Sequence, residues 1–158
     1  MTQARKISTL VVVHEHPRVL LGMKKRGFGV GRWNGFGGKL NEGESVLEAA
    51  VRELKEEAGI SVGRLEKRGR IDFSFEGKPE ILEVHIFAGF DPAGEPQESD
   101  EMQPKWFFID EIPFREMWPD DIYWMPLFLK GAKFSGRFLF GPGDSILEKE
   151  LDVVASLD

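Results

Sequence analysis

Residues 38–60 read GKLNEGESVLEAAVRELKEEAGI, and this stretch decides the fold. Val46, Leu47, Ala50, Val51, Leu54 and Ala58 recur at helical spacing, so a helix is expected over Val46–Ala58. Ser45 or Glu44 can cap its start, and Gly59 stands where a left-handed C-cap is usual. At about 100° per residue, Glu53, Glu56 and Glu57 share an arc of roughly 100° beside the apolar stripe centred on Leu54. One edge of the helix is therefore packed, and the next edge carries three acids.

Like charges at this spacing destabilise a helix by about 0.2–0.5 kcal/mol per i, i+4 pair. Three glutamates alone also describe a solvated face, because Glu is a good helix former. A divalent cation would make the cluster favourable, and an all-oxygen ligand set suits Mg²⁺, with Mn²⁺ as a substitute. The glycines of residues 35–43 let backbone approach a ligand closely. The whole spacing is hard to reach by chance: Gly38, Glu44 six residues on, Arg52 and Glu53 eight and nine beyond, then Glu56, Glu57 and Gly59.

Outward from this stretch, residues 7–13 and 19–23 read as strands around a turn at 14–17. Residues 27–43 hold seven glycines in seventeen positions and read as a loop with a short strand at most. Residues 69–75 and 81–90 read as a hairpin about Gly77, Lys78 and Pro79. Residues 91–103 read as a polar surface loop, and 106–109 as a strand. A second helix is expected over 120–129, with Asp120 as its cap and Pro126 in its first turns. Residues 134–140 put Phe134, Phe138 and Phe140 on one face and Arg137 on the other, and 146–154 read as a closing strand. Mixed strands with two helices place the chain in the α/β or α+β class with a mixed sheet.

The 158 residues suit one domain, 1–158, able to bury roughly 70% of its unfolded surface. Lys plus Arg number 21 against 27 Asp plus Glu, a net charge of −6, which argues against duplex nucleic acid as a partner. Hydrophobic residues at 41% and charged residues at 30% argue against disorder. The absence of cysteine excludes disulfides, Cys-ligated zinc and thiol catalysis. The longest uncharged runs, such as 122–129, are far short of the roughly 20 residues of a membrane span. Arg5 and Lys6 precede a strand at once, which fits neither a signal nor a transit peptide. The expected location is the cytoplasm, with nucleus and mitochondrion open.

The pattern G-x5-E-x7-R-E-U-x-E-E-x-G-U is matched at every fixed position of residues 38–60, and the chain resembles the Nudix family. The resemblance implies an α/β/α sandwich with a mixed sheet, and hydrolysis of a nucleoside diphosphate linked to another moiety. It implies that Glu53, Glu56 and Glu57 hold metal, with Gly38 and the loop residue Glu101 in the same set. It further implies that Arg52 orients the acids and that Glu44 supports the loop.

The strings LLGMKKRGFG (20–29), GRWNGFGGK (31–39), ESDEM (98–102) and MWPDD (117–121) are not general to that family. From residue 10 to 147 the chain is similar to members that hydrolyse oxidised purine nucleoside triphosphates; the two ends depart. This likeness implies an Mg²⁺-dependent, monomeric enzyme that releases a monophosphate and pyrophosphate. Other Nudix substrates, dinucleoside polyphosphates or nucleotide sugars, and a nucleotide-binding module without catalysis are the alternatives.

By matching position, Asn34, Asp120 and Asp121 would contact the purine edge. Phe28, Phe73, Leu82, Trp118, Trp124 and Phe140 would line the base pocket, with Leu82 where methionine is common. Thr9 and Lys24 would lie near the sugar and the pocket mouth. Two adjacent acids raise one pKa, so Asp120 and Asp121 could meet different base edges by moving a proton. Their alternative role is a helix cap and first turn. Lys24, Lys25 and Arg26 read as a solvated turn unless Lys24 tempers the field of an anionic substrate. Trp106 and most of the phenylalanines read as core, and His14, His16 and His85 carry no ligand spacing.

Overall fold

The computed structural model describes residues 4–157. Its strands are β1 (Arg5–Glu15), β2 (Arg18–Lys24), β3 (Trp33–Asn34), β4 (Ser61–Phe75), β5 (Ile81–Ala93), β6 (Met102–Phe108), β7 (Lys133–Phe140) and β8 (Ile146–Val154). Two α-helices, α1 (Val46–Ala58) and α2 (Asp121–Leu129), and short 3-10 turns at Phe114–Glu116 and Pro142–Asp144 complete the element order of the described residues. The sheet runs β3-β2-β1-β5-β4-β7-β8, and β6 pairs with the free side of β2. β1 with β5 and β4 with β7 are parallel, whereas β4 and β5 form the expected antiparallel hairpin.

Alternation along β1 sorts its side chains between two cores. Val11 and Val13 face α1, where they pack with Leu20, Phe36, Ala50, Leu54 and Phe87. Val12 faces α2, among Ile71, Ile86, Trp124, Phe128, Phe134 and Phe138. The result is helix, sheet, helix. Ser45 and Glu48 form a reciprocal capping box at the start of α1, and Gly59 ends it in the left-handed region at φ 73°. Leu54 is fully buried, a contribution of about 2–3 kcal/mol. The apolar stripe is narrower than its spacing suggested: Leu47 and Val51 are half exposed.

The structure departs from the sequence reading at several points. β4 begins at Ser61, eight residues before Gly69, because the charged run 64–68 pairs with the far half of β5 while most of its residues stay at least partly exposed. β6 begins at Met102 inside the expected loop; Pro104 is tolerated there because β6 pairs on one side only. Asp120 occupies the N-cap position of α2 but makes no capping bond, its own backbone being helical. Pro126 is the sixth residue of α2, beyond the first turn. Trp106 is half-buried against the α1-side core, beneath the Arg18 guanidinium. Among the described residues no helix is long and apolar enough to cross a membrane.

Strands β1 and β2 pair only over residues 13–15 and 18–20 and then splay. The glycine-rich segment enters the gap: β3 pairs with Gly22 and Met23, while Phe36 and Lys39 bridge to Val11 and Ser8. A methyl on Gly37 would overlap the Thr9 carbonyl, and one on Gly35 would lie 2.7 Å from the Val11 oxygen. Glycine is required there by close backbone approach, and the wedge it forms props open the cavity described next.

Candidate active site

Two adjoining cavities flank this wedge. The first has a volume of about 360 Å³ and is lined by all eleven residues the sequence assigned to substrate. Thr9, Lys24 and Asn34 come from β1, β2 and β3. Phe73 and Leu82 come from the β4–β5 hairpin, and Phe140 from β7. Phe28 and Trp118 come from loops, Asp120 and Asp121 from the start of α2, and Trp124 from its interior. The second cavity, about 540 Å³, is lined by Gly38, Glu53, Glu56, Glu57 and Glu101 with Lys24, Arg26 and Gly37. Lys24, Gly37, Gly38 and Glu57 line both, so the two are one continuous cleft.

The first cavity is aromatic and ends on buried acid. Phe73 stacks on Phe138 and Phe140, and the exposed Phe28 ring lies 5.0 Å from Trp118. Asp120 Oδ2 accepts from Trp124 Nε1 at 2.8 Å. That bond and the helical backbone of Asp120 together leave the helix end without a side-chain cap. Asp121 Oδ2 is buried with no partner among the described residues, as is Thr9 Oγ1. Burial pushes the Asp120 pKa up against the opposing Trp124 bond. Burial pushes Asp121 further, and the Asp120 charge adds to it. Two carboxylates so placed cannot both ionise cheaply, because the charge on one raises the other. Asn34 Oδ1 accepts from the Gly35 N–H at 2.9 Å, which leaves its amide NH₂ as the free end.

The second cavity is acidic. Arg52 fixes its floor: Nε and Nη2 bond Glu44 at 2.7 and 2.9 Å, Nη1 bonds Glu53 at 2.9 Å and Glu56 at 3.1 Å, and Nη2 reaches the Lys39 carbonyl. These bonds with the Asn41 N–H hold Glu44 down at about 2. Glu57 is buried and accepts from the Gly37 N–H at 2.8 Å. Burial lifts its pKa to about 7, with Glu53 and Glu101 adding and Lys24 opposing. Of the basic run, Lys25 and Arg26 are exposed as a solvated turn requires, whereas Lys24 is half-buried at the cleft, and all three pair with acids. Lys24 and Arg26 both pair with Glu101, at 3.0 and 2.9 Å, and Lys25 pairs with Glu98.

Among the described residues no three acidic or histidine side chains close on one point as a ready cation cage. Mg²⁺ does not need one, since it keeps several waters and uses one or two carboxylates with substrate phosphates. A buried carboxylate crowded by Glu53 and Glu101, in a cleft lined only by hard oxygen donors and Lys or Arg, fits a divalent cation.

Sequence reasoning missed Phe75, Ile86 and Arg32. Phe75 follows Phe73 at strand period 2 and could have been found; Ile86 lines the aromatic cavity from β5. Arg32 lies inside the string 31–39, and nothing local marks it. His85 is buried against Glu83 at 2.7 Å and lines neither cavity.

Residues 4–128 match the NUDIX domain. The oxidized purine nucleoside triphosphate hydrolase of Mus musculus is 55% identical over 96% of this chain and 97% of its own length. The protein of the same name from Danio rerio is also 55% identical, with the same coverage. Among solved structures, the MutT protein of Bacillus halodurans superposes with a TM-score of 0.84 at 31% identity, over 93% of this chain and 97% of that one. A domain match over most of the chain, and identity of this level over nearly all of it, make the chain a member of the Nudix family.

Proposed function

We propose that the chain hydrolyses oxidised purine nucleoside triphosphates, such as 8-oxo-dGTP and 2-hydroxy-dATP, to the monophosphate and pyrophosphate. The observation that carries this reading is the continuity of an aromatic cavity, closed by the buried Asp120–Asp121 pair, with an acidic cleft. A purine fits the first, and its phosphates then lie toward the second. The name shared by the mouse and zebrafish relatives supports the substrate class.

In this reading Trp118 and Phe28 stack on the base, a contribution of roughly 1–3 kcal/mol. The ionised member of the acid pair accepts from ring N–H groups, and the protonated member donates to a carbonyl or ring nitrogen. Asn34 donates to the same edge. Thr9 and Lys24 face the sugar and the first phosphate. Glu53, Glu56, Glu57, Glu101 and the backbone of Gly38 hold Mg²⁺, or Mn²⁺ in its place, and Arg52 orients the acids. When bound, the cation neutralises charge developing on phosphate oxygens and acidifies water. Water adds to one of the two phosphorus atoms flanking the α–β bridge, the bond from that phosphorus to the bridging oxygen breaks, and the oxygen leaves with the other half, so that monophosphate and pyrophosphate result. A carboxylate of the acidic cleft takes the water proton.

We read residues 1–158 as a single domain, and the protein as a monomer. A cytoplasmic site of action, with nucleus or mitochondrion also open, fits a pool of free nucleotides. Cleared of damaged precursors, that pool no longer feeds them into DNA.

The test is a pyrophosphate-release screen over normal and modified nucleotides, with and without Mg²⁺. Preferred turnover of oxidised purine triphosphates supports the reading. Preference for dinucleoside polyphosphates or nucleotide sugars replaces the substrate, and binding without turnover makes the chain a nucleotide-binding module.

A further inference from the structure

Arg32 lines neither cavity, yet it holds a wall of one. Its guanidinium carbon lies 4.1 Å from the centre of the Trp118 ring. Its Nη1 is 3.0 Å from Asp144 Oδ2. Asp144 belongs to the corner between β7 and β8, where Gly143 and Asp144 are both left-handed at φ 66° and 59°. The corner is closed by the Gly141 N–H to the Ser145 carbonyl at 2.7 Å. Side chains other than glycine rarely adopt this conformation, and Asp is among those that tolerate it.

The segment carrying Arg32 also carries Phe28, whose ring packs on Trp118, and Gly29, where a side chain would lie 3.2 Å from the Trp118 Nε1. Segment 28–32 thus grips Trp118 from its own loop and is pinned to a corner more than a hundred residues away. A surface ion pair alone contributes little. Arginine, unlike lysine, lies flat on an aromatic face while its fork bonds a carboxylate, so one side chain can join three elements. The Arg32 charge also opposes the upward push on both Asp120 and Asp121.

We propose that Arg32 is a positioning residue for base recognition: with Asp144 it forms a latch that fixes Trp118, and the segment bearing Phe28, as the outer wall of the aromatic cavity. The inference rests on the nucleotide reading above. It assigns Arg32 no contact with the nucleotide.

The test uses full-length protein labelled with 5-fluorotryptophan, with Trp118 assigned by its substitution. Arg32→Gln, Arg32→Lys, Asp144→Asn and Asp144→Glu are compared with the wild type. Breaking the latch should shift and broaden the Trp118 ¹⁹F resonance while Trp106 and Trp124 stay in place. In the same variants KM for 8-oxo-dGTP should rise about five- to tenfold, the size of a partly desolvated cation–π contact, with kcat moving far less. Arg32→Lys should resemble Arg32→Gln, and Asp144→Glu should fall nearest the wild type. An unmoved Trp118 resonance in Arg32→Gln overturns the latch whatever the kinetics. A moved resonance with unchanged KM overturns its role in recognition. If the resonance moves but the wild type turns over no oxidised triphosphate, the functional reading fails and the latch loses its assignment to base recognition, while the Arg32–Trp118–Asp144 contact stands.

Discussion

The Gly37 N–H donates to Glu57 Oε1 at 2.8 Å, and this bond joins the wedge in the sheet to the acidic edge of α1. A glutamine at 57 keeps an acceptor for that N–H and removes only the charge. Glu57→Gln should therefore abolish most turnover at saturating Mg²⁺ and leave the melting temperature within a few degrees of wild type. Glu53→Gln should behave alike, because its amide oxygen still accepts from Arg52. A variant of either residue that keeps more than half its activity has no metal ligand at that position.

The wedge itself should be intolerant. A methyl at Gly37 overlaps the Thr9 carbonyl, backbone that β5 holds from its other side. Gly37→Ala should cost about 3 kcal/mol or more, a fall in Tm of about 6–12 °C for a chain of this length. Gly43→Ala meets nothing within 4 Å and costs only the strain of its positive φ. Thermal melts of the two variants check the contrast; equal losses would mean that the clash at Gly37 relaxes.

The helix α1 was legible because its signals are local: a capping box, a periodic stripe and a C-cap glycine all lie within fifteen residues. The acids on its edge were legible for the same reason. The strand run 61–68 was not, because its charged side chains follow no clean alternation and its pairing with β5 is set by partners remote in the chain, from Ala93 for Ser61 to Phe87 for Lys67. Asp120 takes the expected N-cap position, but its side chain bonds the Trp124 indole one turn along the same helix instead of the helix-end N–H groups, a local alternative that residue type alone does not decide. The splaying of β1 from β2, on which the cleft depends, appears in sequence only as a surplus of glycine. Arg32 could not be singled out, since both groups it touches, Trp118 and Asp144, are remote in the chain.

Trp118 is only partly buried, resting on Phe28, Phe75 and Phe140 at the cavity rim. Trp118→Ala should weaken binding of the monophosphate product by about 10-fold or more, matching one lost base–aromatic stack. Its Tm should fall less than that of Trp124→Ala, whose indole is fully buried and hydrogen-bonded. Calorimetric titration and thermal melts separate the two. A collapse in Tm with unchanged affinity per folded molecule would make Trp118 a core residue.

The buried acids also set a pH dependence. Burial raises Asp120 and Asp121, and lifts Glu57 to about 7. Folding thus favours their protonated forms. The stability they contribute is complete below the ordinary carboxylate value near 4 and is lost as pH rises through the folded-state values. The ligand-free protein should lose stability from about pH 5 to pH 8. Asp121→Asn cannot ionise, so its Tm should exceed that of wild type at the alkaline end of that range and converge toward it at the acid end. Parallel curves for the two proteins would remove Asp121 from the effect.

The acid pair should also govern which oxidised base is accepted. Asp120 is tied to Trp124 Nε1, whereas Asp121 Oδ2 has no partner among the described residues. The two carboxylates are therefore unequal before any base arrives. The indole N–H favours ionised Asp120, and burial beside that charge favours protonated Asp121. An oxidised guanine, with N–H donors and a carbonyl acceptor on its edge, needs one acceptor and one donor from the pair. An oxidised adenine presents another pattern, which the pair can meet by relocating its proton. Asparagine keeps one donor and one acceptor but cannot exchange them. Asp120→Asn and Asp121→Asn should therefore shift the ratio of kcat/KM for 8-oxo-dGTP to that for 2-hydroxy-dATP, and by different amounts. A lost hydrogen bond to a charged group is worth about 1.5–3 kcal/mol, so at least one ratio should move about tenfold or more. Measuring both nucleotides on the wild type and both variants decides it. If each variant depresses the two substrates in equal proportion, the proton does not move between the carboxylates, and the pair is a fixed binding contact.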